Sequence, residues 1–364
     1  MKISEIIKYL DSIAPPALQE SYDNAGLVTG NPDWNVEAAL IAIDVTEKVV
    51  EEAVEKNTGL IVAHHPVIFS GIKKITGDNH VERTLIKAIK NDIAIYTAHT
   101  NMDAAAGGVN AKICEKLQLG ETSVLQPVTG KLKKLVTFIP LEDADRVREA
   151  VFNAGAGSTG NYDYCGYSLE GTGSFRGNDS SNPYKGEKGK LHFENEIRFE
   201  TVFPSWMEKS IINALLNSHP YEEVAYDIYT LDNQLNTAGL GMTGILPEPR
   251  TETEFLEILK QTFNSKCIKH TSLINKPVKK VAVCGGSGAG LLSKAIASRA
   301  DIFVTADFKY HQFFDAEGKI LIADIGHYES EQFTKEIFYD LLTKKFPKFA
   351  VRFSEVNSNP VFYF

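Results

Sequence analysis

The chain has 364 residues, with 38 Lys+Arg against 47 Asp+Glu, a formal net charge of −9. That length suits two or three domains, and an acidic chain without a long basic run is a poor nucleic-acid binder. Hydrophobic residues at 43% and charged residues at 23% place it in the ordinary globular range, and no apolar run reaches the roughly 20 residues that cross a bilayer.

Residues 1–20 have the spacing of an amphipathic helix, with Ile3, Ile6, Ile7 and Leu10 on one face and Pro15-Pro16 as its stop. Glu5 and Asp11 interrupt the apolar pattern, so this is not a signal peptide. Tyr22–Leu27 reads as a loop. Apolar strand patterns then alternate with helical ones: strands at 39–45, 59–63 and 93–97, helices at 47–56 and 80–90. Near-continuous apolar strands between helices indicate a parallel α/β sheet.

The far end repeats this order, with strands at 281–284, 301–305 and 319–325 and helical patterns at 291–300 and 310–315. A long helix at 330–345 and a strand at 350–353 follow. The shared order of 38–105 and 278–330 reads as an internal duplication. Residues 131–233 differ: they read β-α-β-β-α-β, with long strands at 162–175 and 195–203, which is the order of the ferredoxin-like split βαβ unit. The expected fold class is therefore α/β. Two similar halves, 1–130 and 234–364, form one discontinuous domain, and 131–233 is an inserted ferredoxin-like α+β module. Tyr164, Tyr167 and Phe175 are expected in that module's core or on its sheet face.

The four cysteines, Cys114, Cys165, Cys267 and Cys284, are far apart with no CxxC pair. Neither a disulfide framework nor a thiolate zinc site is expected, and the default compartment is the cytoplasm. The histidines carry the chemistry. Five of the nine, His64, His65, His99, His311 and His327, fall just beyond predicted strands, where open parallel sheets place their ligand sites. His80, His192, His219 and His270 read as satisfied polar core groups.

Adjacent residues of an extended chain point in opposite directions, and Pro66 keeps His65 extended. His64 and His65 therefore suit one each of two neighbouring ions. His327 and Glu331, four apart at a helix start, share a helical face, so the glutamate can bridge two ions while the histidine holds one. Asp103 adds a hard oxygen. This mixed N/O set suits Zn, Fe, Mn or Co. His99 and His311 are candidates for moving protons or for supporting the ligands. Gly285–Gly290 lacks the spacing of a phosphate loop and reads as a strand-to-helix turn.

The motifs Asp23-Asn24-Ala25-Gly26-Leu27, His64-His65-Pro66, His99-Thr100-Asn101-Met102-Asp103, Thr305-Ala306-Asp307 with Tyr310-His311, and Gly326-His327 with Glu331 together resemble the type 2 GTP cyclohydrolase I-like family, also called NIF-three-like. Ala25 and Ala306 depart from the usual Val and Gly. The resemblance implies two divalent cations per chain, with His64 and His327 on one, His65 and Asp103 on the other, and Glu331 between them. It also implies a toroidal homohexamer and, by its name, hydrolytic opening of the GTP imidazole ring. The functional expectation is a metal-dependent hydrolase of a nucleotide or small polar substrate. The alternative is a non-catalytic metal-binding assembly or regulatory protein. No membrane partner and no nucleic acid is expected.

Overall fold

Apolar runs flanked by cap and turn residues set the secondary structure. Ala38–Ala42, Leu60–Ala63 and Ala94–Thr97 are buried at every position, as strands covered on both faces must be. Thr46 accepts from the Val49 amide to start the helix Glu47–Glu55, and Asn79 accepts from the Glu82 amide to start His80–Lys90. A computed structural model describes all 364 residues. The chain folds as two compact units, one of residues 1–127 with 236–364 and one of residues 128–235.

The first unit holds two sheets. One has the spatial order Gly26–Thr29, Ala94–Thr97, Leu60–Ala63, Ala38–Ala42, Ala350–Phe353, with only the first strand antiparallel. The other runs Lys269–His270, Leu321–Asp324, Ile302–Ala306, Val278–Ser287, Leu235–Arg250, Gly120–Val128. Its Leu321–Asp324, Ile302–Ala306 and Val278–Ser287 strands are parallel, and Lys269–His270 is antiparallel beside them. The first sheet thus has four neighbouring parallel strands and the second three, and in each an antiparallel strand lies beside the last of the parallel set, Ala94–Thr97 in one and Leu321–Asp324 in the other. Side chains from both sheets, among them Ile41, Val62, Tyr96, Val283, Val304 and Ala323, meet in one core with Phe338 and Leu342.

The second unit is one antiparallel sheet in the order Gly166–Phe175, His192–Pro204, Leu132–Pro140, Tyr226–Leu231. Helices Ala144–Asn153 and Glu208–Ser218 pack their Val147, Val151, Ile211 and Leu215 against Leu135, Ile139, Phe199 and Phe203.

Several sequence expectations need correction. The N-terminal helix covers only Ile3–Ile13, and Gly26–Thr29, expected to begin in a loop, is an edge strand entered through Gly26 at φ +117°. The expected strand at 162–175 starts at Gly166, because Tyr164 takes φ +53° and breaks the extended run. Of the residues expected in the core or on the sheet face, Tyr167 is on the strand and 65% exposed, and Tyr164 precedes the strand and is 52% exposed. The expected helix 330–345 is two helices, His327–Glu331 and Thr334–Lys345, parted where the Gln332 side-chain Nε2 donates to the Phe263 carbonyl and the Phe333 ring packs on Phe263. No helix is long and apolar enough to cross a membrane.

Phe338 is fully buried in the core shared by the two sheets, whereas Phe362 is 86% exposed. Removing a buried phenylalanine costs about 3–5 kcal/mol, so Phe338→Ala is expected to lose stability by that order. Phe362→Ala is expected to change it by less than about 0.5 kcal/mol. Urea unfolding of both variants measures the difference.

Candidate metal centre

The strand Leu60–Ala63 delivers His64 and His65, whose two amides both donate to the Ile43 carbonyl, at 3.2 and 2.9 Å. That shared anchor fixes the dipeptide, whose two rings lie 4.8 Å apart between centroids, tilted by 46°. His99 follows Ala94–Thr97 and opens the short helix Thr100–Ala104, which carries Asp103. Gly326, at φ +99°, turns the chain from Leu321–Asp324 into the helix His327–Glu331. His65, His99, Asp103, His327 and Glu331 line a cleft of about 1090 Å³ in the first unit, and His64 is fully buried.

Three trios of ligand atoms each lie within 4.8 Å: His64/His65/His99, His65/His327/Glu331 and His64/Asp103/Glu331. His65 Nε2 and His327 Nε2 stand 2.9 and 3.1 Å from Glu331 Oε2 and 3.3 Å from each other. His64 Nε2 is 3.7 Å from both Asp103 Oδ1 and Glu331 Oε1. Ligand atoms around a tetrahedral ion at about 2.0–2.2 Å are themselves separated by roughly 3.3–3.6 Å, so this His/Glu group is spaced to hold a metal ion. Two buried atoms there, His64 Nε2 and Asp103 Oδ1, have no hydrogen-bond partner. Buried polar atoms are normally satisfied, and a cation satisfies both.

These distances pair the residues differently from the ligand sets that the family resemblance implied. His64 faces Asp103, and His65 faces His327. The fully buried His64 ring turns toward the helix that carries Asp103, while His65 turns toward the helix that carries His327. Glu331 still reaches both groups with its separate oxygens.

Each imidazole is held from behind. His64 Nδ1 bonds the Ala98 carbonyl at 3.0 Å, His65 Nδ1 bonds Asp44 at 2.7 Å, His99 Nδ1 bonds Asp23 at 2.8 Å, and His327 Nδ1 bonds Asp307 at 2.6 Å. Such partners fix ring orientation and leave Nε2 for a ligand or proton. The Ser358 hydroxyl donates to the other oxygen of Asp44 at 2.6 Å. Asp307 adopts φ +58°, a conformation that aspartate tolerates better than most side chains. Asp44 and Asp307 were not recognised from sequence as partners, although both stand at the ends of predicted strands.

The remaining expectations divide. His99 lies in the cleft, its ring centroid 5.3 and 5.4 Å from those of His64 and His65. His311 does not: the segment Tyr310–Ala316 is a 3₁₀ helix that leaves it exposed against Tyr310 and Phe314. His219 is a satisfied buried group, bonded to the Phe138 carbonyl, but His80 and His270 are exposed rather than core. The glycine run after Val281–Cys284 continues the strand to Ser287. A Cβ on Gly286 would come within 2.2 Å of Glu331 Oε1, so the bare backbone there makes room for that carboxylate.

A family model described as Duf34/NIF3 (NGG1p interacting factor 3) matches residues 1–360. The chain belongs to the DUF34/NIF3 family. It is 41% identical over 362 residues to a Bacillus subtilis protein named GTP cyclohydrolase 1 type 2 homolog, covering 98% of this chain and 97% of that relative. A Halalkalibacterium halodurans protein of the same name is 38% identical over 369 residues, covering 99% of each. The solved structure of a Bacillus cereus protein related to NIF3 is 39% identical, with a TM-score of 0.87 over 100% of this chain and 99% of that one. For a Staphylococcus aureus protein the values are 27% and 0.79, again over 100% and 99%.

The electrostatics of this NIF3-family site favour protons or cations. Burial opposes charge on His65, but its bonds to Asp44 and Glu331 prevail and raise its pKa to about 9. His327 is likewise raised to about 11 against its burial, by Asp307 and Glu331. Burial, then repulsion from Glu331, lifts Asp103 to about 8. Burial disfavours charge on Glu331, yet the charges and hydrogen bonds of the surrounding imidazoles hold its pKa well below the usual value.

A raised histidine pKa contributes stability that is complete below the unfolded value of about 6.5 and is lost as pH climbs through the folded value. A raised aspartate pKa acts in the same direction above about 3.9. Metal-free protein is therefore expected to lose stability steadily between pH 6.5 and 9, with His65 and Asp103 contributing in that window. Asp44→Asn is expected to flatten this loss. Thermal unfolding in chelator across that range provides the measurement.

Proposed function

We propose that this cleft holds two divalent cations per chain and that the protein is a metal-dependent hydrolase of a nucleotide or another small polar substrate. The observation that carries the reading is a single buried carboxylate, Glu331, shared by two ligand trios, one of which contains two buried atoms without partners. His64, Asp103 and Glu331 Oε1 would hold one ion, and His65, His327 and Glu331 Oε2 the other. The donor set suits Zn, Fe, Mn or Co. Bound there, such ions supply Lewis acidity toward a substrate oxygen and lower the pKa of a water.

The chain's own side chains account for the rest. The Ala98 carbonyl, Asp44 and Asp307 hold three imidazoles with Nε2 turned inward. His99, fixed on Asp23, is placed to accept or return a proton at its Nε2 within the cleft. The cleft, at about 1090 Å³, lies just above the range of about 300 to 1,000 Å³ usual for small-molecule sites and has room for such a substrate. The names of the relatives support a nucleotide substrate.

The same reading makes residues 131–233 a ferredoxin-like insertion into one domain of two similar halves. Two features support it: the β-α-β-β-α-β order, and a spatial strand order of second, third, first, fourth. A homohexamer follows from the family resemblance. A cytoplasmic location is supported by four free cysteines.

Stripped wild-type protein titrated with zinc or manganese is expected to take up two equivalents per chain. Glu331→Gln keeps the shape but removes the charge shared by both trios, so it is expected to weaken both sites together, whereas His65→Ala chiefly weakens one. The bridging role is wrong if Glu331→Gln keeps two tight sites while His65→Ala loses both. Metal-loaded wild type that turns over none of a panel of nucleotides and phosphoesters would leave the non-catalytic alternative standing.

A further inference from the structure

In the unit of residues 128–235, helices cover one face of the four-stranded sheet. Strand alternation puts Phe138, Glu196, Arg198, Gly171, Gly173 and Phe175 on the other face. They are in register there: Phe138 lies opposite Arg198, Gly171 opposite Glu196, and Phe175 opposite His192. Residues 176–191, between the two long strands, supply Ser181, Pro183 and Tyr184 to the same cavity of about 670 Å³. The Asn182 amide, donating to Glu222 at 2.7 Å, ties this loop down.

Glu196 is only 6% exposed. The Tyr221 hydroxyl donates to its Oε1 at 2.8 Å, and its Oε2 lies over Gly173, where a Cβ would come within 2.2 Å. Arg198 does not neutralise it, because its Nε and Nη2 engage Glu200 at 2.9 and 2.8 Å. Aromatic rings form the wall: Phe175 and Tyr184 stand 5.9 and 6.2 Å from Tyr221 between centroids. A Cβ on Gly171 would meet nothing within 4 Å, so the floor beside Glu196 is open. The cavity shares no residue with the metal cleft.

An enclosed carboxylate with one oxygen uncommitted, among π faces, is matched to a positive group on a flat apolar body. We propose that this cavity binds a small organic cation, an amine or amidine whose N–H groups reach Glu196 while its body packs among Phe175, Tyr184 and Tyr221. The inference does not depend on the metal site.

Calorimetric titration of the full chain with tryptamine and with indole-3-acetate, which share a ring but differ in charge, tests it. Tryptamine is expected to bind at least about tenfold more tightly than the acid, and Glu196→Gln to weaken it by at least about tenfold. Gly171→Leu, which fills the cavity floor, is expected to abolish binding with metal uptake unchanged. Tyr184→Ala, on the loop, is a second variant expected to weaken binding without touching the sheet. No saturable tryptamine binding, equal binding of the acid, or an affinity unchanged in Gly171→Leu and Tyr184→Ala would overturn the proposal. So would a change of oligomeric state in Gly171→Leu by light scattering, because a second copy would then occupy the face.

Discussion

A carboxylate sealed from water must be met by positive charge, and in this fold that carboxylate is Glu331. It is 2% exposed, yet Oε2 touches two imidazoles and Oε1 faces a third. An ionised group so placed is costly unless its partners are charged or bind a cation. Much of the local architecture follows from that constraint. Gly286 leaves space for the carboxylate, Gly326 turns the chain into its helix, and the strand ends aim the imidazoles at it. Neither half of the first unit makes the site alone. The first half brings His64, His65 and Asp103, and the second brings His327 and Glu331.

The ring of supporting acceptors gives the site its rigidity. Ala98, Asp44, Asp23 and Asp307 each take one Nδ1, so four imidazoles are oriented by four different segments. Asp44 is itself held by Ser358 near the end of the chain. Without a cation, the same ring raises the affinity of His65 and His327 for protons. A metal ion held there would compete with those protons, which would link its binding to pH.

The strand ends were legible because buried parallel strands are written as short apolar runs, and a His-His-Pro or a Gly-His directly after one is conspicuous. Adjacent residues on an extended chain point in opposite directions, so sequence suggested different neighbours for His64 and His65; the rings nonetheless stand 4.8 Å apart and share one trio with His99. Sequence did not show which partner each meets, since that depends on how Thr100–Ala104 and His327–Glu331 approach the dipeptide. Asp44 went unrecognised because it sits inside an apolar strand run, and Asp307, though part of a quoted motif, gave no sign that its partner would be His327. The strand Leu235–Arg250 was missed because Gly239, Gly241, Gly244, Pro247 and Pro249 break its pattern. His311 shares the strand-end placement of the others, but its 3₁₀ turn takes it to the surface.

The most direct measurement is anomalous diffraction at the zinc or manganese edge from crystals of metal-loaded protein. Two peaks are expected astride Glu331, one against His64 and Asp103 and the other against His65 and His327. A single peak, or peaks pairing His64 with His327, would contradict the account.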